Sequence, residues 1–96
     1  MTDVTVTNNP DESRYEARLG GELAGIAEYQ LTERLIVFTH TQVEPEFEGE
    51  GVGTALARQA LDDVRATDAR KVVAKCPFIK SWIEKHPDYQ DLLRTR

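Results

Sequence analysis

The sequence predicts an α/β domain with elements in the order β-β-β-α-β-α, a mixed sheet flanked by helices. Three observations lead there. Residues 14–43 read as a meander, with polar–apolar alternation at Arg14–Leu19, a hairpin signal at Gly20-Gly21 and a β-branched, aromatic run at Leu35–Val43; residues 51–67 switch to a near-fourfold apolar repeat; and a glycine-rich stretch joins the two regimes.

Taken in order, residues 1–12 are polar and weakly alternating, which predicts a frayed first strand or a tail at Asp3–Pro10. Arg14–Leu19 sets Arg14, Glu16 and Arg18 against Tyr15, Ala17 and Leu19, the period of a half-buried strand. Gly20-Gly21 is a hairpin signal, so Glu22–Leu31 reads as the returning strand. Glu33-Arg34 marks another turn, and Leu35–Val43 is rich in β-branched and aromatic residues. Val52, Leu56, Ala60 and Val64, flanked by Ala57 and Leu61, then define an amphipathic helix over 51–67. Lys71–Ala74 is a short strand carrying Val72-Val73. Pro77 opens a second helix with Phe78, Ile79, Trp82, Ile83 and His86 on helical spacing, of which Phe78, Ile79 and Trp82 read as core packing. Pro87 interrupts that helix, leaving a last turn or two over Asp88–Leu93.

A chain of 96 residues with 40% hydrophobic and 30% charged residues fits one domain over 1–96. No apolar run approaches the ~20 residues that cross a bilayer, and the polar start predicts neither a signal peptide nor an anchor. A lone cysteine, Cys76, has no partner for an internal disulfide, which predicts a cytoplasmic setting. Residues 1–69 hold 14 acidic and 5 basic side chains, whereas residues 70–85 hold five basic side chains against Glu84 alone. The acidic majority argues against duplex nucleic acid as a partner, while the basic segment is either a solvated surface or a seat for a small polyanion.

The most informative stretch is Glu48-Gly49-Glu50-Gly51-Val52-Gly53-Thr54, between a strand and a helix. Glycines at alternate positions expose successive backbone N–H groups, and the helix that follows adds its own unpaired amides and the positive end of its dipole. Such a junction would cradle a phosphate. Its spacing is not that of the dinucleotide fingerprint, and no Lys-Ser/Thr pair follows as in a P-loop.

Glu48-x-x-Gly51-x-Gly53 resembles the glutamine/arginine-x-x-glycine-x-glycine/alanine loop of GNAT acetyltransferases, which binds the pyrophosphate of coenzyme A. His40-Thr41-Gln42-Val43, Pro45-Glu46-Phe47-Glu48-Gly49, Gly51-Val52-Gly53, Cys76-Pro77-Phe78 and His86-Pro87-Asp88-Tyr89 are, in that order, similar to the motifs of a short single-domain GNAT-like subfamily. The resemblance implies a sheet that splays between Leu35–Val43 and Lys71–Ala74, with the pantetheine arm lying in the gap as a pseudo-strand. Thr41 and Val43 would supply backbone contacts to it. Gly49, Gly51, Val52, Gly53 and Thr54 would hold the pyrophosphate, and Arg58 and Lys80 would assist from the rims. Glu48 departs from the usual arginine or glutamine, and Glu50 adds a second carboxylate, so modest affinity is expected.

Cys76 falls where the resemblance puts the thioester. As a thiolate it would accept an acyl group, and as a thiol it would protonate the departing coenzyme A sulfur. The plainer alternative is a small buried hydrophobe. His40 is either a general base for an incoming ammonium or a hydrogen-bonded structural residue. His86, at a helix end, reads first as a cap. Matching Glu84-Lys85 to the usual glutamate-lysine pair of the superfamily leaves Ile83 where many members carry an acid tyrosine. The histidines and Cys76 show no metal-ligand spacing, so no metal is expected. The function implied is transfer of an acetyl group from acetyl-coenzyme A to an amine, by a monomer or weak dimer. The alternative is a coenzyme-A-binding module without turnover.

Overall fold

The protein is described by a computed structural model over residues 4–94. Five strands, β1 (Val4–Asn9), β2 (Arg14–Leu19), β3 (Glu22–Leu31), β4 (Leu35–Val43) and β5 (Lys71–Ala74), form one sheet in sequence order. The first four run antiparallel, and β5 lies parallel to β4. Two helices, α1 (Val52–Thr67) and α2 (Pro77–Glu84), follow β4 and β5 respectively. Short 3₁₀ turns occupy Pro10–Glu12, Pro45–Phe47 and Pro87–Leu92.

The mixed α/β architecture agrees with the sequence expectation, with one strand more. Residues expected to fray form β1, paired with β2 from Val4↔Leu19 to Asn9↔Arg14. Asp3 lies outside the described residues. Val4 and Val6 pack on the core, and Asn8 accepts a hydrogen bond from the Tyr29 hydroxyl at 2.6 Å. The apolar alternation of β1 is thin because threonine and asparagine fill its other positions; the paired edge of β2 supplies what local patterning lacks.

Tyr15, Ala17 and Leu19 of β2 point to the helical side, and α1 packs across β1 to β4 there. The opposite face carries Glu16, whose carboxylate accepts hydrogen bonds from Asn9, Arg14 and Arg18 at 2.9–3.1 Å. These donors hold the Glu16 carboxyl below the usual carboxylate range, Asn9 and Arg14 contributing most. The core is one cluster centred on Phe38, Leu56, Leu61, Ile79 and Ile83. Two adjacent acids on α1 pin its outer turns: Tyr15 donates to Asp63 at 2.6 Å and Tyr89 donates to Asp62 at 2.7 Å.

How closely α1 approaches the sheet is set at Gly25. A β-carbon there would sit 2.8 Å from the Gln42 carbonyl oxygen, 3.0 Å from Val52 Cγ1 and 3.2 Å from Leu56 Cδ1. The first of these belongs to the β4 backbone, which cannot swing aside as a side-chain tip can. Gly25→Ala is therefore expected to destabilise the fold by about 1–3 kcal/mol, the range for overpacking a filled core. Urea denaturation checks this, and an unchanged midpoint would show that α1 is free to lift.

Candidate active site

The site begins where β4 and β5 part. Their pairing runs from Leu35↔Lys71 to Phe38↔Ala74 and stops. At that point Glu28↔His40 and Tyr29↔Phe38 are successive pairs on the β3 side, so Thr39 is an extra, bulged residue on β4. A bulge bends its strand and increases local twist. The Phe38 carbonyl accepts the amides of both Lys75 and Cys76 at 3.0 Å, and the chain then leaves the sheet as α2. β4 continues to Val43, and among the described residues nothing pairs with the edge of Thr39–Val43 that β5 has left. An unpaired edge of this kind can accept an extended, amide-bearing chain by strand addition.

Cys76 stands at the head of the gap. It is buried, at 3% exposure, and its thiol donates to the Thr41 hydroxyl at 3.1 Å. Thr41 was expected to serve the ligand through its backbone; its side chain also engages Cys76. A threonine hydroxyl that accepts from a thiol keeps its own hydrogen to donate. His40, the preceding residue, points to the other face, because successive side chains alternate along a strand. There it is exposed, 3.4 Å from Gln42 Oε1, and stands opposite Glu28 on β3. The structure thus brings Thr41 and Cys76 together and keeps His40 apart from both. Glu28 was not legible in the sequence, since only the bulged register makes it His40's neighbour.

The glycine loop runs from β4 into α1. Gly51 caps the helix at φ 82° and Gly49 has φ 85°, and a β-carbon at either would meet no protein atom within 4 Å. Ala55 makes the first helical hydrogen bond, to the Gly51 carbonyl at 3.0 Å. No described residue accepts from the amides of Gly51, Val52, Gly53 or Thr54, and no side chain caps the helix. Amides left without an acceptor at a helix start can bind a pyrophosphate. Glu48 and Glu50 are exposed and form no ion pair among the described residues.

The remaining candidates separate. The Arg58 guanidinium lies over the Trp82 ring, 5.4 Å from its centroid. Lys80 stands away from the loop, lining a hollow of about 330 Å³ with Ala74, Ile83, Glu84, Gln90 and Leu93. Phe78, expected in the core, is 40% exposed, its ring turned against Gly53 instead. His86 caps α2 as expected: its Nδ1–H donates to the Trp82 carbonyl at 2.7 Å, and its ring stacks on Trp82 at 3.8 Å. Ile83 is buried at the position of the usual acid tyrosine. Tyr89 does not replace that tyrosine, because its hydroxyl is committed to Asp62, which together with burial raises the phenol above its ordinary range. Among the described residues no three His, Cys, Asp or Glu side chains gather where a metal ion could sit, and no helix is long and apolar enough to cross a membrane.

A splayed β4–β5 pair with a glycine loop opening the intervening helix defines an acyltransferase-type fold, and comparison with known proteins agrees. The family model described as GCN5-related N-acetyl-transferase matches residues 14–92, and the chain belongs to that family. The ribosomal-protein-alanine N-acetyltransferase of Brucella melitensis biovar Abortus 2308 superposes with a TM-score of 0.63 at 14% identity, covering 99% of this chain and 92% of that one. The ribosomal-protein-S18-alanine N-acetyltransferase of Escherichia coli gives a TM-score of 0.62 at 14% identity, covering 77% of this chain. The match spans 66% of the Escherichia coli enzyme's length. At such identities the likeness is one of fold. No curated protein matches the chain.

Gly53 shows how tightly the loop meets α2. A β-carbon there would lie 2.8 Å from Phe78 Cζ, the tip of a partly exposed ring that is free to swing. Alanine also gains about 1 kcal/mol over glycine within a helix. Gly53→Ala is expected to keep the unfolding free energy within about 1 kcal/mol of the native value. Added to Phe78→Ala, it should raise stability rather than lower it. Chemical denaturation of the three variants checks both statements.

Proposed function

We propose that the chain transfers an acetyl group from acetyl-coenzyme A to a primary amine. One observation carries this reading. The chain combines unclaimed amides at Gly51 to Thr54, an open β4 edge over Thr39–Val43, and the Thr41–Cys76 pair on that edge. Acetyl-coenzyme A would supply an activated acetyl thioester. The amides of the loop would bind its pyrophosphate, and the edge of Thr39–Val43 would orient its pantetheine amides.

This chain's own groups cover the proton movements. Cys76 Sγ–H, oriented by Thr41 Oγ1, is a buried proton source at the head of the gap, where the usual tyrosine is absent. The Thr41 hydroxyl hydrogen would then donate to the Cys76 thiolate, and solvent would return its proton after the product leaves. On the opposite face, exposed His40 Nε2 would take the proton of an incoming ammonium, with Glu28 opposite it on β3. The exposed acids Glu46, Glu48 and Glu50 favour a cationic acceptor over an anionic one. A coenzyme-binding module without turnover is the competing reading, favoured by the commitment of Tyr89 to Asp62.

Gly51 tests the cradle. At φ 82° any side chain is strained, so the informative pair is Gly51→Asp against its neutral isostere Gly51→Asn. Both should fold, and calorimetry should find coenzyme A binding weaker in the aspartate variant, the gap narrowing as salt rises. Equal affinities would remove the loop from the site.

Cys76 separates enzyme from module. Cys76→Ala is expected to retain coenzyme A affinity within a few-fold and to lose most transfer to an amine panel; Thr41→Val should lower turnover less. Transfer by Cys76→Ala at the native rate would refute the proton-donor role. Binding by the native protein with no transfer to any amine would support the module.

A further inference from the structure

The sheet face turned away from α1 carries a carboxylate that the fold does not use. Ala27 and Tyr29 of β3 are buried on the helical side, so Glu28 between them points to the opposite face. Its register partners there are Arg14 of β2 and His40 of β4. Side chains so opposed have Cβ atoms about 4.5–5.5 Å apart.

Neither flank engages it. Arg14 gives its Nε–H to Glu16 at 2.9 Å, and Glu16 takes further donors from Asn9 and Arg18. His40 meets Gln42 Oε1 at a long 3.4 Å. Although Glu28 is half-buried, its side chain makes no hydrogen bond or ion pair among the described residues. Two carboxylates therefore share one face in opposite states. Glu16 is saturated, and Glu28 is open.

The bulge creates the juxtaposition. Because Thr39 is extra on β4, His40 instead of Thr39 falls opposite Glu28, and the Thr39 hydroxyl donates to the Glu28 carbonyl at 3.3 Å. Two residues along β3, half-buried Ile26 pairs with Gln42 on the same face. A carboxylate without an internal donor, an imidazole and an aliphatic side chain thus adjoin. An alkylammonium suits this set, since its N–H groups can donate to the carboxylate while its stem lies on Ile26.

We infer that Glu28 seats the ammonium of the acceptor beside His40, and thereby selects a cationic alkylamine over an uncharged amine of the same shape. The inference rests on the transfer reading above and adds the acceptor contact which that reading leaves open. Glu46, Glu48 and Glu50 act from the exposed loop through solvent. Glu28 touches the acceptor, and His40 then takes one proton to leave a neutral nitrogen.

Steady-state transfer by the full chain at neutral pH, with butylamine and its uncharged isostere O-propylhydroxylamine as acceptors, tests it. Glu28→Gln should lower kcat/KM for butylamine about ten-fold, mostly through KM, and leave O-propylhydroxylamine within about two-fold. The butylamine loss should shrink as salt rises, and Glu28→Asp should recover part of it. Calorimetry should find coenzyme A affinity unchanged in both variants, and thermal unfolding confirms their fold. An equal loss for both amines in Glu28→Gln, or no loss for either, would overturn the inference while leaving the transfer reading intact. Coenzyme A binding by the native protein with transfer to neither amine would overturn both.

Discussion

The Phe38 carbonyl is where the sheet stops being a sheet. It accepts two consecutive amides, those of Lys75 and Cys76, so β5 ends there and the chain turns outward into α2. Phe38 itself is packed in: its side chain is fully buried, and its ring centroid lies 6.3 Å from those of both Tyr15 and Tyr29. The bulge at Thr39, one residue on, bends β4 away from the same point. The open strand edge, the meeting of Cys76 with Thr41, and the course of α2 past the first turn of α1 all follow from that divergence.

A second constraint orients the helix that carries the glycine loop. α1 enters against Gly25, where even a methyl group would collide with the β4 backbone, and its outer turns are held by Tyr15–Asp63 and Tyr89–Asp62. It ends at Asp68, whose amide returns to the Val64 carbonyl with φ 54°. With both ends fixed, the free amides of its first turn have one direction to face. Preorganised donors of this kind bind an anion without the cost of ordering a loop at the moment of binding.

The charge asymmetry of the chain acquires a spatial meaning. The carboxylates of Glu48 and Glu50 stay in solvent on the loop, while Lys85 and His86, which follow α2, border a hollow shared with Thr54 of α1. The basic segment is therefore not uniform: Lys85 lines the cavity beside α1, and Lys80 lines another hollow.

Much of this protein is fixed locally. Period-two alternation set β2, the Gly20-Gly21 turn set β3, β-branched and aromatic content set β4, the fourfold repeat set α1, Pro77 opened α2, and the glycine spacing marked the loop, because each depends on neighbours within a few residues. Partners distant in sequence decided the rest. β1 became a strand because the edge of β2 was there to pair with it. Phe78 left the core because Gly53 offered its ring a bare backbone to lie against. Glu28 met His40 through a bulge whose position depends on how β3 and β4 register, and Thr41 met Cys76 across 35 residues of chain. Side-chain direction at a strand divergence or on a helix stripe is set by packing among several elements at once, and a linear pattern of polar and apolar residues does not encode it.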